Sequence, residues 1–167
     1  DYCQDPAAQL FAYGDIGTPG LPITNLLDPT LYTPAEFSST NVANTWFTID
    51  LQKVRSINMI ALLKHNLTYV AQWRVRIYDA DPSTNSPIYD SSLVNCFPTI
   101  TGYGGLFWGD FNWGGSVADY AEYNPVGFNR HTFMPLSAVY GRYIRIDISD
   151  PSNPSLPKVS RTWISKG

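Results

Sequence analysis

Arg142-Tyr-Ile-Arg-Ile-Asp-Ile-Ser149 alternates without a break, with Ile144, Ile146 and Ile148 on one side and Tyr143, Arg145, Asp147 and Ser149 on the other. Side chains of a strand point alternately to its two faces, so the pattern is that of a β-strand with one apolar and one polar face. Gly141 precedes it and Asp150-Pro-Ser-Asn-Pro154 ends it. Proline has no N–H to give to a ladder and holds the residue before it extended, so the strand cannot run on. Three isoleucines on one face require a second apolar layer.

The rest of the chain supplies that layer in similar pieces. Trp46-Phe-Thr-Ile-Asp-Leu51 alternates with Phe47, Ile49 and Leu51 inward, and Trp73-Arg-Val-Arg-Ile-Tyr78 with Trp73, Val75 and Ile77 inward. Ile57 to Leu63 is apolar on both faces and reads as a central strand or a short buried helix; its length favours the strand. Asp79 to Pro87 is built of turn formers, Ile88-Tyr89 reads as a short strand, and a last strand is expected near Val159–Ile164. Residues 1–24 are broken by Pro6, Gly14, Gly17, Pro19, Gly20 and Pro22 and read as an irregular arm, with Asn25 to Asp28 a single turn. The expected organisation is this arm followed by one domain over 25–167. Short strands, Pro- and Gly-rich turns and no helix layer give an all-β fold, a sandwich or a barrel.

One segment stands apart. Phe97 to Phe133 interleaves Gly102, Gly104, Gly105, Gly109, Gly114 and Gly115 with Tyr103, Phe107, Trp108, Phe111 and Trp113. So long an insert is functional or disordered as a rule, and aromatics this dense argue against disorder. Ser116 to Glu122 reads as a short capped helix before Pro125. Tyr103, Phe107, Trp108 and Trp113 are the candidate binding residues: they suit stacking on sugar rings, anchoring a protein interface, or folding back as a small core of their own.

Composition narrows the partners. The 167 residues carry eleven Lys and Arg against fourteen Asp and Glu, a net charge of -3, which excludes the basic face a nucleic-acid binder needs. Charged residues are only 15% and aromatics 14%, a balance suited to burying surface against a partner or a sugar. The longest apolar run is far too short to span a bilayer, and no secretory leader is visible. Cys3 and Cys96 form one disulfide or remain buried thiols.

Catalysis is not expected. His65 reads as a turn residue with its ring bonded to nearby backbone, His131 follows the insert, and Ser116 lacks the spacing of a nucleophile elbow. The only glutamates are Glu36 and Glu122, while Asp50 and Asp147 lie on strand faces where Arg74, Arg76 and Arg145 are their natural partners. Asn66-Leu-Thr68 matches a glycosylation sequon.

Taken together, Asn25–Asp28, Trp46–Leu51, Asn58–Asn66, Trp73–Asp79 and Gly141–Pro154 resemble the galactose-binding-like, discoidin-type jelly roll. More narrowly, the His65-Asn66 turn, the Trp108-to-Gly114 stretch and the Asp150-to-Pro154 corner resemble structural proteins of tailed bacteriophages and prophages, although Ser160-Arg161 stands where those relatives often carry Gly-Arg. The resemblance implies an antiparallel β-sandwich of about eight strands with no catalysis. It also implies a place on the virion, at a phage tail tip or baseplate, in a symmetric assembly with other tail proteins formed in the host cytoplasm and able to touch a cell-surface glycan. The alternative is a carbohydrate-binding module of a cell-surface-targeting protein. Discoidin-like domains often hold calcium, for which Asp79, Asp81, Asp147 and Asp150 are the candidate ligands; ordinary turn chemistry is the competing reading. No other cofactor is expected.

Overall fold

A computed structural model describes residues 1–68, 70–97 and 131–166, and its regular elements are strands joined by turns, with two short 3-10 turns at Tyr2–Gln4 and Ile23–Leu27. In chain order the strands are β1 (Gln9–Tyr13), β2 (Gly17–Thr18), β3 (Leu21–Pro22), β4 (Ala35–Glu36), β5 (Trp46–His65), β6 (Gln72–Tyr78), β7 (Tyr89–Asp90), β8 (Val94–Asn95), β9 (His131–Ser149) and β10 (Lys158–Ser165). Eight of them form one antiparallel sheet in the order β4-β10-β5-β9-β6-β7, with β1 added to β5 and β8 to β6, while β2 and β3 make a separate hairpin.

Two long strands turn that sheet into a sandwich. Trp46–Asp50 of β5 pairs with Tyr143–Asp147 of β9, flanked by β1 and β6. After a break in register between Asp50 and Arg55, the rest of β5 pairs with the first half of β9 and with β10. The break falls where Gln52 takes a left-handed backbone, φ 63°, as a bulged strand does when it bends. The two halves face each other across a single apolar core. Phe47, Ile49, Trp73, Val75, Ile77, Ile144, Ile146 and Ile148 come from one layer and Ile60, Leu62, Met134 and Ile164 from the other. Each fully buried side chain of this size contributes about 1.5–3 kcal/mol, against about 0–1 for an exposed ion pair, so this core dominates stability.

The three inward-facing sets expected from the sequence are all buried, and Ile57–Leu63 is strand. Three readings need correction. Residues 1–24 are not irregular throughout, because Gln9–Tyr13 is an edge strand on β5; its five residues between Pro6 and Gly14 are too short to show as a pattern. Residues 131–133, assigned to the insert, begin β9. Thr48, Asp50 and Tyr143 on the nominal outer face are also buried. Phe11 lies edge-on to Tyr143 at 5.0 Å, and Arg142 reaches over both Tyr143 and Asp50.

Charges on that face are paired across the strands. Asp147 accepts from Arg76 at 2.7 Å and from Arg145 at 3.0 Å, and Arg145 also lies 3.9 Å from the Trp46 ring centroid. Asp90 is paired with Arg74, whose hydrogen bond outweighs burial and takes the carboxyl down to about 2. Burial alone would raise Asp50, but hydrogen bonds from Arg142 and the Gln52 N–H hold it below the ordinary carboxylate range. The N-terminal turn is fastened by Arg55 to Asp5 and by Arg161 to Asp1. Cys3 and Cys96 are free, buried thiols; burial raises both, Cys3 to about 12 despite the nearby Arg161.

Two outcomes follow from this packing. A Cβ on Gly141 would overlap the Ile77 Cγ2 methyl, so Gly141→Ala is expected to cost about 1–3 kcal/mol in denaturant unfolding. Because Asp50 is depressed in the folded state, its contribution is present above the unfolded value near 4 and is lost as pH falls through the folded one. Thermal unfolding over a pH series should show the gap between wild type and Asp50→Asn narrowing as pH drops below about 4.

Candidate functional site

One end of the sandwich gathers the groups most able to bind a ligand. Here β5 finishes in a turn that places Lys64 in the left-handed region, φ 49°, before His65. The Lys64 N–H donates to Nδ1 of His131, the first residue of β9, at 3.1 Å. With Nδ1 accepting, the ring proton sits on Nε2, and His131 itself is exposed. Beside it His65 is buried; its Nδ1 accepts from the Leu67 N–H at 3.3 Å, the backbone bond expected from the sequence, and Phe97 lies edge-on at 5.7 Å. Thr132 donates to the Cys96 carbonyl at 2.7 Å. Phe97 and His131, the residues from which 98–130 departs and to which it returns, are therefore rooted together against the Lys64–His65 turn.

A second loop meets the same turn. Asp28 accepts the Thr30 N–H at 2.7 Å and the Thr33 hydroxyl at 3.3 Å, and Asn25 donates to the Pro34 carbonyl at 3.1 Å, which shapes residues 28–34. The loop presents Tyr32 with 88% of its surface exposed. The Lys64 Nζ donates to the Leu31 carbonyl at 3.0 Å and stands 5.6 Å from the Tyr32 ring centroid. An open aromatic face, an ammonium and an imidazole N–H thus lie on adjoining backbone.

Below them the chain is locked by a buried polar corner. Asp150, 1% exposed, accepts the Thr68 N–H at 2.8 Å, the Thr68 hydroxyl, and Asn153 Nδ2 at 2.9 Å. Asn66 donates to Ser155 and to the Leu156 carbonyl and accepts from the Lys158 N–H at 2.6 Å. Satisfied buried networks of this kind specify one geometry, and this one fixes the turn that carries Lys64. It also engages the Asn66 amide that a glycosylation reading would need free.

Other sequence candidates fall elsewhere. Tyr103, Phe107, Trp108 and Trp113, with Ser116 and Glu122, lie outside the described residues. The four aspartates named for calcium are not gathered into one cluster among the described residues. Asp147 sits between two guanidinium groups, Asp150 is taken by Thr68 and Asn153, and Asp81 accepts from Ser83 within its own turn. Among the described residues no three His, Cys, Asp or Glu side chains come together, at Asp79 or elsewhere. Glu36, Asp50 and Asp147 are each held by a cation rather than facing each other across a cleft as hydrolytic acids do. An open cleft beside Cys3, Gln4, Asp5, Leu27 and Pro29 contains a thiol that burial keeps protonated. Tyr32 and Lys64 escaped the sequence reading because they are brought together only in space; the visible signal was a tyrosine in a loop bracketed by Pro29 and Pro34.

Among the described residues no helix is long and apolar enough to cross a membrane. No family model matches the chain, and no curated protein matches it. Solved structures do. A GH29 fucosidase of Ruminococcus gnavus in complex with fucose superposes over 100% of this chain with a TM-score of 0.61 at 11% identity, and the match covers 26% of the fucosidase chain. A fucose binding module of Streptococcus pneumoniae matches 100% of this chain and 98% of its own length, with a TM-score of 0.57 at 9% identity. Chitosan-binding module 1, from a chitosanase/glucanase of Paenibacillus sp. IK-5, matches 99% of this chain and 98% of its own, with a TM-score of 0.58 at 10% identity. The chain thus spans about a quarter of the fucosidase it matches and almost the whole of the two modules. Its fold is the antiparallel jelly roll found in carbohydrate-binding modules.

Proposed function

We propose that this chain is a non-catalytic carbohydrate-binding module, and that sugars dock at the end of the sandwich formed by Tyr32, Lys64 and His131. The observation that carries this reading is the exposed Tyr32 ring with the Lys64 ammonium above it and His131 bonded to the same residue. A pyranose offers one face of C–H groups and a rim of hydroxyls. An aromatic ring takes the first, and ammonium and imidazole donors take the second. Likeness in fold, end to end, to modules that bind fucose and chitosan supports the reading. The insert aromatics Tyr103, Phe107, Trp108 and Trp113 belong to the proposal too, because Phe97 and His131, the described residues that flank the insert in the sequence, both contact this turn.

The virion setting rests on the sequence resemblance alone. Nothing in the comparisons points to a phage tail protein, and carbohydrate binding therefore displaces assembly into a tail as the primary role. A tail location remains a proposal about where such a module is mounted, and isolation of the chain within intact particles would test it.

A glycan array followed by titration tests the function. Binding to at least one glycan class is expected. Tyr32→Ala should weaken it about tenfold, or roughly 1.4 kcal/mol, with the unfolding midpoint unchanged, since the side chain is exposed. Trp108→Ala and Trp113→Ala measure the insert's share. Silence across the array would end the proposal, and full affinity in Tyr32→Ala would move the site away from this loop.

A further inference from the structure

Among the described residues Lys53, Lys64 and Lys166 stand apart from the other cations in forming none of the ion pairs found there, and of the three Lys64 is the one held over an aromatic ring. Seven cations are neutralised by ion pairs, six arginines' worth of contacts and one lysine's, namely Arg55, Arg74, Arg76, Arg142, Arg145, Arg161 and Lys158. Lys64 forms none of the ion pairs found among the described residues, yet its ammonium is held in place by the Leu31 carbonyl and the Tyr32 ring. An ammonium has three donors, and the Leu31 carbonyl takes one. Among the described residues the acids on neighbouring segments are already engaged: Asp28 by Thr30 and Thr33, Glu36 by Thr18 and Lys158, Asp150 by Thr68 and Asn153. Lys64 also occupies a left-handed backbone position where asparagine or glycine would be cheaper. On a chain of net charge -3, this end therefore presents a cation that is held in place and carries no acid among the described residues, with the His131 imidazole bonded to its own backbone N–H.

From this juxtaposition we infer that the site selects sugars bearing a carboxylate, a uronate or a sialate, with the acid group on Lys64 and the ring on Tyr32. The inference rests on the carbohydrate-binding reading and specifies its ligand. A carboxylate meets the two remaining ammonium donors in a charge-assisted bond, stronger than any a neutral hydroxyl forms there. A glucosamine polymer, which is cationic, meets the same ammonium as a like charge and is disfavoured. Acid preference thus separates this chain from the chitosan-binding module whose fold it shares.

Isothermal titration of the whole chain decides the matter. The probes are trigalacturonate against its methyl ester, sialyllactose against lactose, and a glucosamine trimer. At low salt, at least one acidic sugar is expected to bind tenfold or more tighter than its neutral counterpart, and the margin should shrink as salt is raised, because the carboxylate contact is partly screened. Lys64→Asn, which suits the left-handed backbone, should abolish the margin by weakening the acidic sugar tenfold or more beyond its smaller effect on the neutral one; Lys64→Arg should retain it. Whichever acidic probe carries the margin identifies the source of the carboxylate. Equal affinity for acid and ester and for sialyllactose and lactose, or tightest binding of the glucosamine trimer, overturns the inference and leaves carbohydrate binding standing. An acid preference that survives in a folded Lys64→Asn overturns its placement at Lys64. Failure of every probe and of the glycan array removes both this inference and the reading beneath it.

Discussion

The ladder between β5 and β9 is the constraint from which the rest follows. It starts at Trp46 opposite Asp147, runs through Ile49 opposite Ile144, breaks after Asp50, resumes at Arg55 opposite Gly141 and continues to Leu63 opposite His131. Because the same two strands serve both layers, the bend between their halves fixes the spacing and relative direction of the two apolar faces. Gly141 lies at the bend on the β9 side, where Ile77 of the neighbouring strand β6 leaves no room for a Cβ. Short strands are then added at the edges, β1 and β6 on one half and β10 on the other. The ladder also decides where the proposed ligand end lies, since its last pairs deliver the Lys64 turn and His131 to the same place.

What the sequence made legible is what depends on period two. The faces of 46–51, 73–78 and 142–149 were readable because an apolar residue every second position has one interpretation when polar residues fill the gaps. Continuity was not readable. Gln52-Lys-Val-Arg55 breaks the alternation with a bulge, so β5 looked like two strands, and the first half of β9 contains Pro135, which has no N–H to give to a ladder. Proline is tolerated there because that half of β9 has β5 on one side and no described strand on the other. Outer faces were misjudged for a different reason. Burial of Thr48 and Asp50 depends on β1 and on Arg142 arriving from distant sequence, and alternation within a strand carries no information about that.

The site was legible only in its surroundings. Aromatic density pointed to residues 97–133, and the His65-Asn66 turn and the Asp150-to-Pro154 corner stood out as turn chemistry. That Asn66, Thr68, Asp150 and Asn153 form one network joining these two turns is a fact of tertiary packing. The same network engages Asp150, one of the four aspartates named for calcium. Its oxygens already accept from Thr68 and Asn153, and a cation would have to displace bonds that hold the end of the sandwich together. Asp147 is excluded by sign as well as by occupancy, flanked as it is by Arg76 and Arg145.

The division of labour between the two ends of β5 follows from these placements. At Trp46 the aromatic ring is covered: Arg145 lies over it, its N–H donates to the Ala43 carbonyl at 3.0 Å, and Gly14 packs against it. At Lys64 the arrangement is inverted, because Tyr32 is exposed and the cation beside it forms no ion pair among the described residues. Both ends pair a cation with an aromatic ring, but only the second leaves the ring's surface and two ammonium donors unspent. A cation satisfied by Asp147 stabilises its own sheet. One satisfied by a single carbonyl retains the capacity to recognise a partner, and the strain of a left-handed lysine is of the kind that persists where surrounding structure, here the Asn66–Asp150 corner, holds it for function rather than for packing.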